Sequence, residues 1–311
     1  MKLKKKIVCS LILIAILFST GKVLANTEFT SVLGEMENTE EFKKWWPADL
    51  HLIGKDIVRF HSIYWPAFLW SLDIELPKQI FGHPWLLTNN DKIGKSRGNA
   101  IYADDLVEKY GVDAVRYYVL HEIPFANDGN LTYELLIERY NSDLANVLGN
   151  LVNRTISMNK KYFDNIVVTS NVTDSVDDDL INIVLEAKSK VEKSMSDLKV
   201  ADAIDEVFNI FKRCNKYIDE TTPWILAKEE NKDRLKKVIY NLLESIRIGA
   251  VLLYPFLPQT SEEIFKQINT DETSYESINE FGKLKVGSTL NDPKPLFIIL
   301  CLYNILLMKR E

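Results

Sequence analysis

The sequence predicts an α/β segment followed by an all-α helical bundle. Two strand-like runs, DLHLI at 49–53 and QIFGHPWLLT at 79–88, enclose a stretch whose apolar residues recur at helical intervals. Between residues 131 and 269 the pattern becomes almost wholly helical, with short polar connections between long amphipathic runs. Long helices joined in this way are typical of an antiparallel bundle.

The α/β part is predicted as a strand, a helix and a second strand. The helix spans 55–72, and its apolar face carries Ile57, Phe60, His61, Tyr64, Phe68 and Leu72. This order predicts a right-handed βαβ unit. Pro66 is expected to kink the helix or to end it early. Asn89-Asn90-Asp91 is predicted as a turn, because asparagine and aspartate favour turn conformations. Short helices are predicted at 104–110, ending at Gly111, and at 112–121.

Two long stretches of the bundle carry the clearest apolar stripes. In 202–219 the stripe is formed by Ala203, Val207, Phe211, Cys214 and Ile218. In 234–254 it is formed by Val238, Leu242, Ile246, Ala250 and Leu253. We predict both stripes as core.

Composition narrows the class of protein. The chain has 311 residues and a net charge of −6, which argues against bulk electrostatic coating of nucleic acid but leaves room for a local basic patch. Its three cysteines, Cys9, Cys214 and Cys301, are too scattered for a zinc knuckle or a disulfide framework. We therefore predict a reduced, cytosolic protein without a metal-ligand cluster.

Both ends of the chain differ from this composition. Residues 1–30 look like a secretory signal, with four lysines in 1–6, an apolar run at 7–18 and a small-residue cleavage site at 23–25. Residues 296–308 (LFIILCLYNILLM) are almost wholly apolar. We interpret this tail as a reading-frame change, and the alternative is a membrane-docking tail too short to span a bilayer.

The stretch DKIGKSRGNA at 91–100 is the most informative motif. Lys92, Lys95 and Arg97 lie on a loop with two glycines, and Ser96 adds a hydroxyl group. Such a loop can close over a triphosphate and stabilise charge on a leaving pyrophosphate. The glycine spacing of a Walker loop is absent. A solvated cationic loop is the alternative interpretation.

Several motifs together resemble one family. KIGKSRGN resembles the KMSKS signature of class I aminoacyl-tRNA synthetases, and four further segments resemble methionyl-tRNA synthetases in order and spacing. These segments are WPADLHLIGKDIVRFHSIYWPAFL, LVEKYGVDAVRYYVLHEIPFANDGN, LIERYNSDLANVLGNLVNR and NKYIDETTPWILAK. The similarity runs from Leu33 to Leu296.

The resemblance implies a domain organisation. Residues 31–128 would be an α/β remnant, the second half of a Rossmann-like nucleotide-binding domain, and residues 129–280 an all-α anticodon-binding bundle. Residues 1–30 would be the signal-like segment, and 281–311 a linker with an aberrant apolar tail.

The resemblance also implies roles for residues of the α/β part. Lys95, assisted by Lys92, would bind the ATP phosphates and act in catalysis, and Ser96 would contribute to ATP binding. Ile93 and Gly94 stand where the signature has Met and Ser, so the loop stiffness can differ. Ile57, His61 and Asp56 would form the methionine pocket, with Asp56 and Lys55 near the ribose or the substrate amine. Without the resemblance, His61 would be interpreted as a satisfied core histidine.

In the bundle, Asn150, Arg154 and Trp224 match the residues that read the CAU anticodon. Unpaired bases stack on aromatic planes and accept or donate hydrogen bonds at amide and guanidinium groups. Asn150 and Arg154 are four residues apart and project from one helix face, while Pro223 sets the entry of the helix that presents Trp224. From its position alone, Trp224 is equally interpreted as a core anchor.

The implied function is that of a methionine–tRNA ligase, with ATP and Mg²⁺ as cofactors and tRNA(Met) and L-methionine as partners. The H-x-G-H signature of class I synthetases is missing, since His51-Leu52-Ile53-Gly54 is followed by Lys55. We therefore expect this chain alone to be inactive, without a zinc site, and with membrane contact only through its terminal apolar segments. The alternatives are a non-catalytic module that binds the tRNA anticodon, and an exported or non-functional product of a rearranged gene.

Overall fold

The computed structural model describes residues 39–88, 90–94, 101–122 and 127–300. The signal-like segment and residues 301–311 of the tail lie outside these ranges. The chain divides into two compact units, one ending at Trp85 and the other beginning at Leu86. Each unit is described by itself.

The first unit is built on a parallel pair of strands. Helix α1 (Glu40–Trp45) begins where the Thr39 hydroxyl accepts a hydrogen bond from the Phe42 amide. Strand β1 (His51–Gly54) pairs in parallel with β2 (Ile80–His83), so that His51 is opposite Ile80 and Gly54 is opposite His83. The parallel pairing of the first predicted strand with the beginning of the second is therefore confirmed.

The connection between β1 and β2 is helical but irregular. It consists of a 3₁₀ turn (Lys55–Ile57), a π-helical turn (Phe60–Tyr64) and helix α2 (Trp65–Ser71). The Trp65 amide donates to the Phe60 carbonyl, five residues earlier. Pro66 lies in the first turn of α2, where its missing amide costs little. The helix therefore does not end early at Pro66, and the irregularity is the π-helical turn that precedes it.

The second unit begins with a small sheet. Strand β3 (Leu86–Thr88) pairs antiparallel with β4 (Asp91–Lys92) and parallel with β5 (Gly129–Leu131). Asn90 takes a positive φ of 63° in the predicted turn. The single strand predicted for 79–88 is wrong. It divides at His83-Pro84-Trp85 into two strands of different sheets, because proline cannot donate to a strand ladder.

Helices make up most of the second unit. Gly111, with a φ of 83°, separates the first two, as predicted. In chain order the helices are α3 (Ala103–Tyr110), α4 (Val112–Glu122), α5 (Tyr133–Arg139), a π-helical segment (Tyr140–Gly149), α6 (Asn150–Phe163), α7 (Ser175–Ser196), α8 (Val200–Thr221), α9 (Pro223–Lys228), α10 (Lys232–Leu253), α11 (Pro258–Ile268) and a 3₁₀ turn (Tyr275–Ile278).

The core of the bundle lies between α7, α8 and α10. All ten residues of the two predicted stripes are buried, which confirms them as core. Gly249 lets α10 approach α8, since a Cβ at this position would lie 2.5 Å from Cε1 of Phe211. The α/β and helical parts of the predicted fold class are both present.

Residues 281–300, assigned above to a linker and tail, lie packed on the bundle. Leu284 and Leu290 are buried, and the Glu244 carboxylate accepts hydrogen bonds from the amides of Gly282 and Lys283. Within the described ranges, no helix is long and apolar enough to cross a membrane.

Candidate functional site

Three residues meet at the carboxyl ends of β1 and β2. Gly54 ends β1 opposite His83, and Asp56 follows two residues later. A Cβ at Gly54 would lie 2.5 Å from Oδ1 of Asp56 and 3.8 Å from Nε2 of His83. Both polar groups therefore lie beside Gly54, where an added Cβ would require the Asp56 carboxylate to move. Ligands of open α/β sheets bind outside the carboxyl ends of parallel strands.

Ile57 and His61 occupy one face of the helical connection, as their spacing predicts. Nδ1 of His61 lies 3.0 Å from the Ile57 carbonyl oxygen. Because a carbonyl can only accept, Nδ1 is the donor in this contact. The ring of His61 also packs edge-on against His51, with centroids 6.3 Å apart.

Further aromatic side chains contact His51 on the side away from His61. His51 contacts Trp46, whose ring meets Trp65 edge-on at 6.1 Å, and Trp46 donates its indole N–H to the Glu75 carbonyl. Nδ1 of His51 is buried and has no hydrogen-bond partner among the described residues. The result is a partly buried aromatic and imidazole surface suited to an apolar ligand with a polar end.

Lys55 lies over an aromatic ring of the same unit. Its Nζ is 4.1 Å from the centroid of Trp85, a cation–π geometry. The contact holds the ammonium group next to the strand ends, because Lys55 directly follows β1.

The cationic loop is described only in part. Lys92 lies in β4, opposite Leu87, and its side chain is exposed. Its backbone amide donates to Oδ1 of Asp91 at 2.8 Å. The other candidate residues of the loop, Lys95 and Ser96, lie outside the described residues.

In the helical unit, the structure brings together two candidates that are far apart in the sequence. The guanidinium carbon of Arg154, on α6, lies 5.2 Å from the ring centroid of Trp224, on α9. Trp224 is 38% exposed, so its ring is not a buried core anchor. Asn150 is exposed one turn before Arg154 on the same helix.

The chain geometry before α9 explains how Trp224 is presented. Thr222 takes a positive φ of 42° after α8, and the buried Pro223 begins α9. A proline at this position has the φ that a first helical turn needs. This sharp reversal places Trp224 on the outside of the bundle instead of in its core.

The described residues fit part of a nucleotide site. In the first unit, the carboxylate of Asp56 offers oxygen ligands of the kind that Mg²⁺ prefers, and the ammonium group of Lys55 can pair with phosphate oxygens. Within the described ranges, no group of three His, Cys, Asp or Glu side chains is arranged as metal ligands.

Sequence reasoning missed His83 and Trp85. The position of His83 depends on strand register, because His83 lies beside Gly54 only through the pairing of β2 with β1. The signal that could have found them is the position of His83-Pro84-Trp85 at the end of a predicted parallel strand.

Comparisons with known proteins agree on one family. Residues 23–156 match the family described as tRNA synthetases class I (M). Residues 168–300 match the anticodon binding domain of methionyl tRNA ligase. The two matches together extend over both units.

Two relatives have closely similar sequences. The chain is 50% identical over 275 residues to the methionine–tRNA ligase of Clostridium tetani, which covers 88% of this chain and 43% of the relative. It is 51% identical over 265 residues to that of Clostridium perfringens, covering 85% and 41%. The chain thus spans less than half the length of these curated relatives.

A solved structure shows the same fold. Methionyl-tRNA synthetase of Mycobacterium tuberculosis, bound by methionyl-adenylate, superposes with a TM-score of 0.79 at 36% identity. The match covers 84% of this chain and 52% of that structure.

Proposed function

Because the chain belongs to the methionyl-tRNA synthetase family, we propose that it serves the ATP-dependent attachment of methionine to tRNA(Met), with its helical unit recognising the CAU anticodon. Arg154, Trp224 and Asn150 would form the recognition surface. This role places the protein in the cytoplasm, with translation. The observation that carries the proposal is the contact between Arg154 and the 38% exposed ring of Trp224.

The geometry of this contact suits an unpaired base. Trp224 offers an exposed indole surface on which a base can stack, a contact worth about 1–3 kcal/mol per base. Arg154 lies over the same ring, where its N–H groups can donate to a base edge or a phosphate. Asn150, one turn away, adds an amide that can both donate and accept.

For amino-acid activation we propose roles for the residues of the α/β part. His61 and Ile57 would line the methionine side-chain pocket, and Asp56 would accept from the substrate amine or the ribose. Lys92, Lys95 and Ser96 would hold the ATP phosphates and stabilise the charge that develops on pyrophosphate. Mg²⁺, when bound with ATP, would neutralise part of the phosphate charge.

We further propose that the 311-residue chain alone does not activate methionine. The sequence has no H-x-G-H signature, and loss of a group that acts in the transition state lowers the rate by orders of magnitude. Tested alone, the chain then behaves as a tRNA-binding module. The expected result is no methionine-dependent ATP–pyrophosphate exchange above background, and exchange at the rate of a full-length relative would contradict this part.

Filter binding of initiator tRNA tests anticodon recognition. Trp224→Ala is expected to weaken binding roughly 5- to 150-fold, as the loss of one stacked base predicts. Tyr275→Ala is the matched control, because Tyr275 is also 38% exposed and has the Lys188 ammonium 4.6 Å from its ring centroid.

Two results would contradict the proposal. One is equal loss of affinity in Trp224→Ala and Tyr275→Ala. The other is equal affinity of the unmodified chain for initiator tRNA and for the same tRNA with an altered anticodon.

A further inference from the structure

The side chain of Asn215 joins two chain segments that each lead to a candidate anticodon residue. Asn215 lies on α8, and its Nδ2 atom donates to the Val147 carbonyl of the π-helical segment at 3.0 Å. Asn150 follows Val147 by three residues, and Trp224 follows Asn215 by nine. One amide group therefore connects the start of α6 to the helix that leads into Trp224.

The same amide group is also fixed against its own helix. Nδ2 of Asn215 donates to the carbonyl of Phe211, four residues earlier on α8, at 3.1 Å. A carboxamide nitrogen carries two hydrogen atoms, so it can serve both carbonyls at once. The contact with Phe211 orients the side chain, and the contact with Val147 then holds the π-helical segment against α8.

The contact with Val147 lies where the helical register changes. The amide of Asn150 donates to the Ala145 carbonyl, five residues earlier, as in a π-helix, and α6 begins at the same residue. π-Helices occur mostly as single turns, so a segment of 10 residues, Tyr140–Gly149, depends on contacts with its neighbours. A change of its register would rotate α6 and thereby move the side chains of Asn150 and Arg154.

A second contact joins the same two segments at their other end. Arg154 on α6 has its guanidinium carbon 5.2 Å from the ring centroid of Trp224 on α9. Seven residues separate Val147 from Arg154, which is about 10 Å at a helical rise of about 1.5 Å per residue. The two contacts therefore close a ring of two chain segments, in which a movement at one contact displaces the groups at the other.

We propose that Asn215 is a positioning residue for anticodon recognition. Its amide holds the π-helical segment in register and so keeps Asn150 and Arg154 turned toward Trp224. The proposal rests on the proposed function, because the ligand of these three residues is the anticodon. Asn215 acts through them and makes no contact of its own with RNA.

The first test needs no RNA. The six tryptophans of the chain are replaced by 5-fluorotryptophan, and the fluorine resonance of Trp224 is assigned by its loss in Trp224→Phe. The other five tryptophans belong to the first unit and serve as internal references. Asn215→Ala should shift the Trp224 resonance and leave the other five unchanged. An unshifted Trp224 resonance would overturn the proposal.

Asn159→Ala is the matched control. Asn159 lies on α6, as Arg154 does, and its amide donates to the backbone carbonyl of Ile166 at 3.1 Å. Asn159 is fully buried, so its replacement costs stability without touching the π-helical segment. It should leave the Trp224 resonance in place. An equal shift in Asn159→Ala would mean that general destabilisation moves Trp224, which would overturn the proposal.

Filter binding then compares initiator tRNA with the same tRNA carrying an altered anticodon. Asn215→Ala should reduce the ratio of the two affinities about 2- to 30-fold, the range for residues that modulate binding without touching the ligand. Asn215→Ser keeps one hydroxyl donor, which can serve only one of the two carbonyls, and should also reduce the ratio. Circular dichroism checks that each variant is folded, and the serine variant decides the test if the alanine variant is not. An unchanged ratio in the folded variants would overturn the proposal.

A double variant separates positioning from direct contact with RNA. Trp224→Ala already removes one end of the ring, so adding Asn215→Ala should cost less than its effect in the unmodified chain. The combined loss of affinity for initiator tRNA should therefore be smaller than the product of the two single losses. A combined loss equal to that product would mean that Asn215 acts independently of Trp224, and would overturn the proposal.

Failure of this inference can be told from failure of the proposed function. Equal affinity of the unmodified chain for the two tRNAs contradicts the proposed function, whatever Asn215→Ala does to the Trp224 resonance. Discrimination in the unmodified chain that both Asn215 variants leave intact contradicts only this inference.

Discussion

Arg154 places its guanidinium carbon 5.2 Å from the ring centroid of Trp224. The contact joins α6 to the short helix α9 at the surface of the bundle. An arginine held in this way keeps the N–H groups of its planar guanidinium near the indole face before any ligand binds. Such preorganisation lowers the entropy cost of recognition.

The first prediction concerns the planar guanidinium group of Arg154. Arg154→Lys keeps the charge but removes the planar donors, so we expect initiator tRNA to bind about 1–2 kcal/mol more weakly, with reduced discrimination against altered anticodons. Filter binding at fixed salt measures both quantities. Lys188→Arg, beside Tyr275, is the control and should leave both unchanged. If Arg154→Lys discriminates between the anticodons as well as the unmodified chain does, the guanidinium group does not recognise a base.

The second prediction concerns Gly249 on α10. A Cβ there would lie 2.5 Å from Cε1 and 2.9 Å from Cζ of Phe211. Gly249→Ala should therefore lower the free energy of unfolding by about 1–3 kcal/mol, although alanine favours helices by about 1 kcal/mol. Urea denaturation measures the change. Adding Phe211→Leu should recover part of the loss, and a stabilised Gly249→Ala variant would contradict the close contact.

The third prediction concerns a buried ion pair between α7 and α10. Arg234 donates to both carboxylate oxygens of Asp177, at 2.6 and 2.9 Å. Burial raises the pKa of Asp177, but hydrogen bonds from Arg234 and Tyr217 outweigh this effect and the pKa is lowered. Asp177 therefore stabilises the fold above its unfolded pKa of about 3.9, and this contribution is lost as the pH falls through the folded pKa.

Arg234→Met should leave the Asp177 carboxylate buried without its cationic partner. We expect a loss of about 3–5 kcal/mol at pH 7. The loss should shrink as the pH falls, because burial then favours the neutral acid. Urea denaturation between pH 7 and pH 3 measures this trend. Lys266→Met, which removes an exposed pair with Glu263, should have little effect at any pH.

The fourth prediction concerns His121, which links α4 to α8. Nδ1 lies 2.7 Å from Glu122 and Nε2 lies 3.3 Å from Asp205. Burial lowers the pKa of His121, but the bonds with Asp205 and Glu122 outweigh it and raise the pKa to about 9. The protonated ring thus stabilises the fold fully below its unfolded pKa of about 6.5. That contribution is lost as the pH rises through 9.

Between pH 6.5 and 9, the chain should lose about 1–2 kcal/mol of stability from this residue, after allowance for solvent screening. The free energy of unfolding of His121→Gln should not show this part of the pH dependence. Denaturation at pH 6 and pH 9, with an NMR titration of the imidazole, measures the effect. Titration of His121 near 6.5 would contradict the network.

Much of the fold was predictable because it depends on local periodicity. The stripes of α8 and α10 are apolar at helical spacing, and the stripe residues are buried. The strand predicted at 79–88 was wrong because Pro84 interrupts strand hydrogen bonding within an otherwise apolar run. The exposure of Trp224 was not readable either, since tryptophan occurs both in cores and at binding surfaces.

The family, identified by its ordered motifs, and the helical character of most of the chain can be recognised from the amino-acid sequence alone. These properties are encoded within short windows, in which 3.6-residue periodicity and motif spacing are visible. The contact of Arg154 with Trp224 and the position of His83 beside Gly54 become visible only in the folded chain. Such contacts depend on how helices pack and how strands register, and these follow from the combined packing of side chains from many parts of the chain.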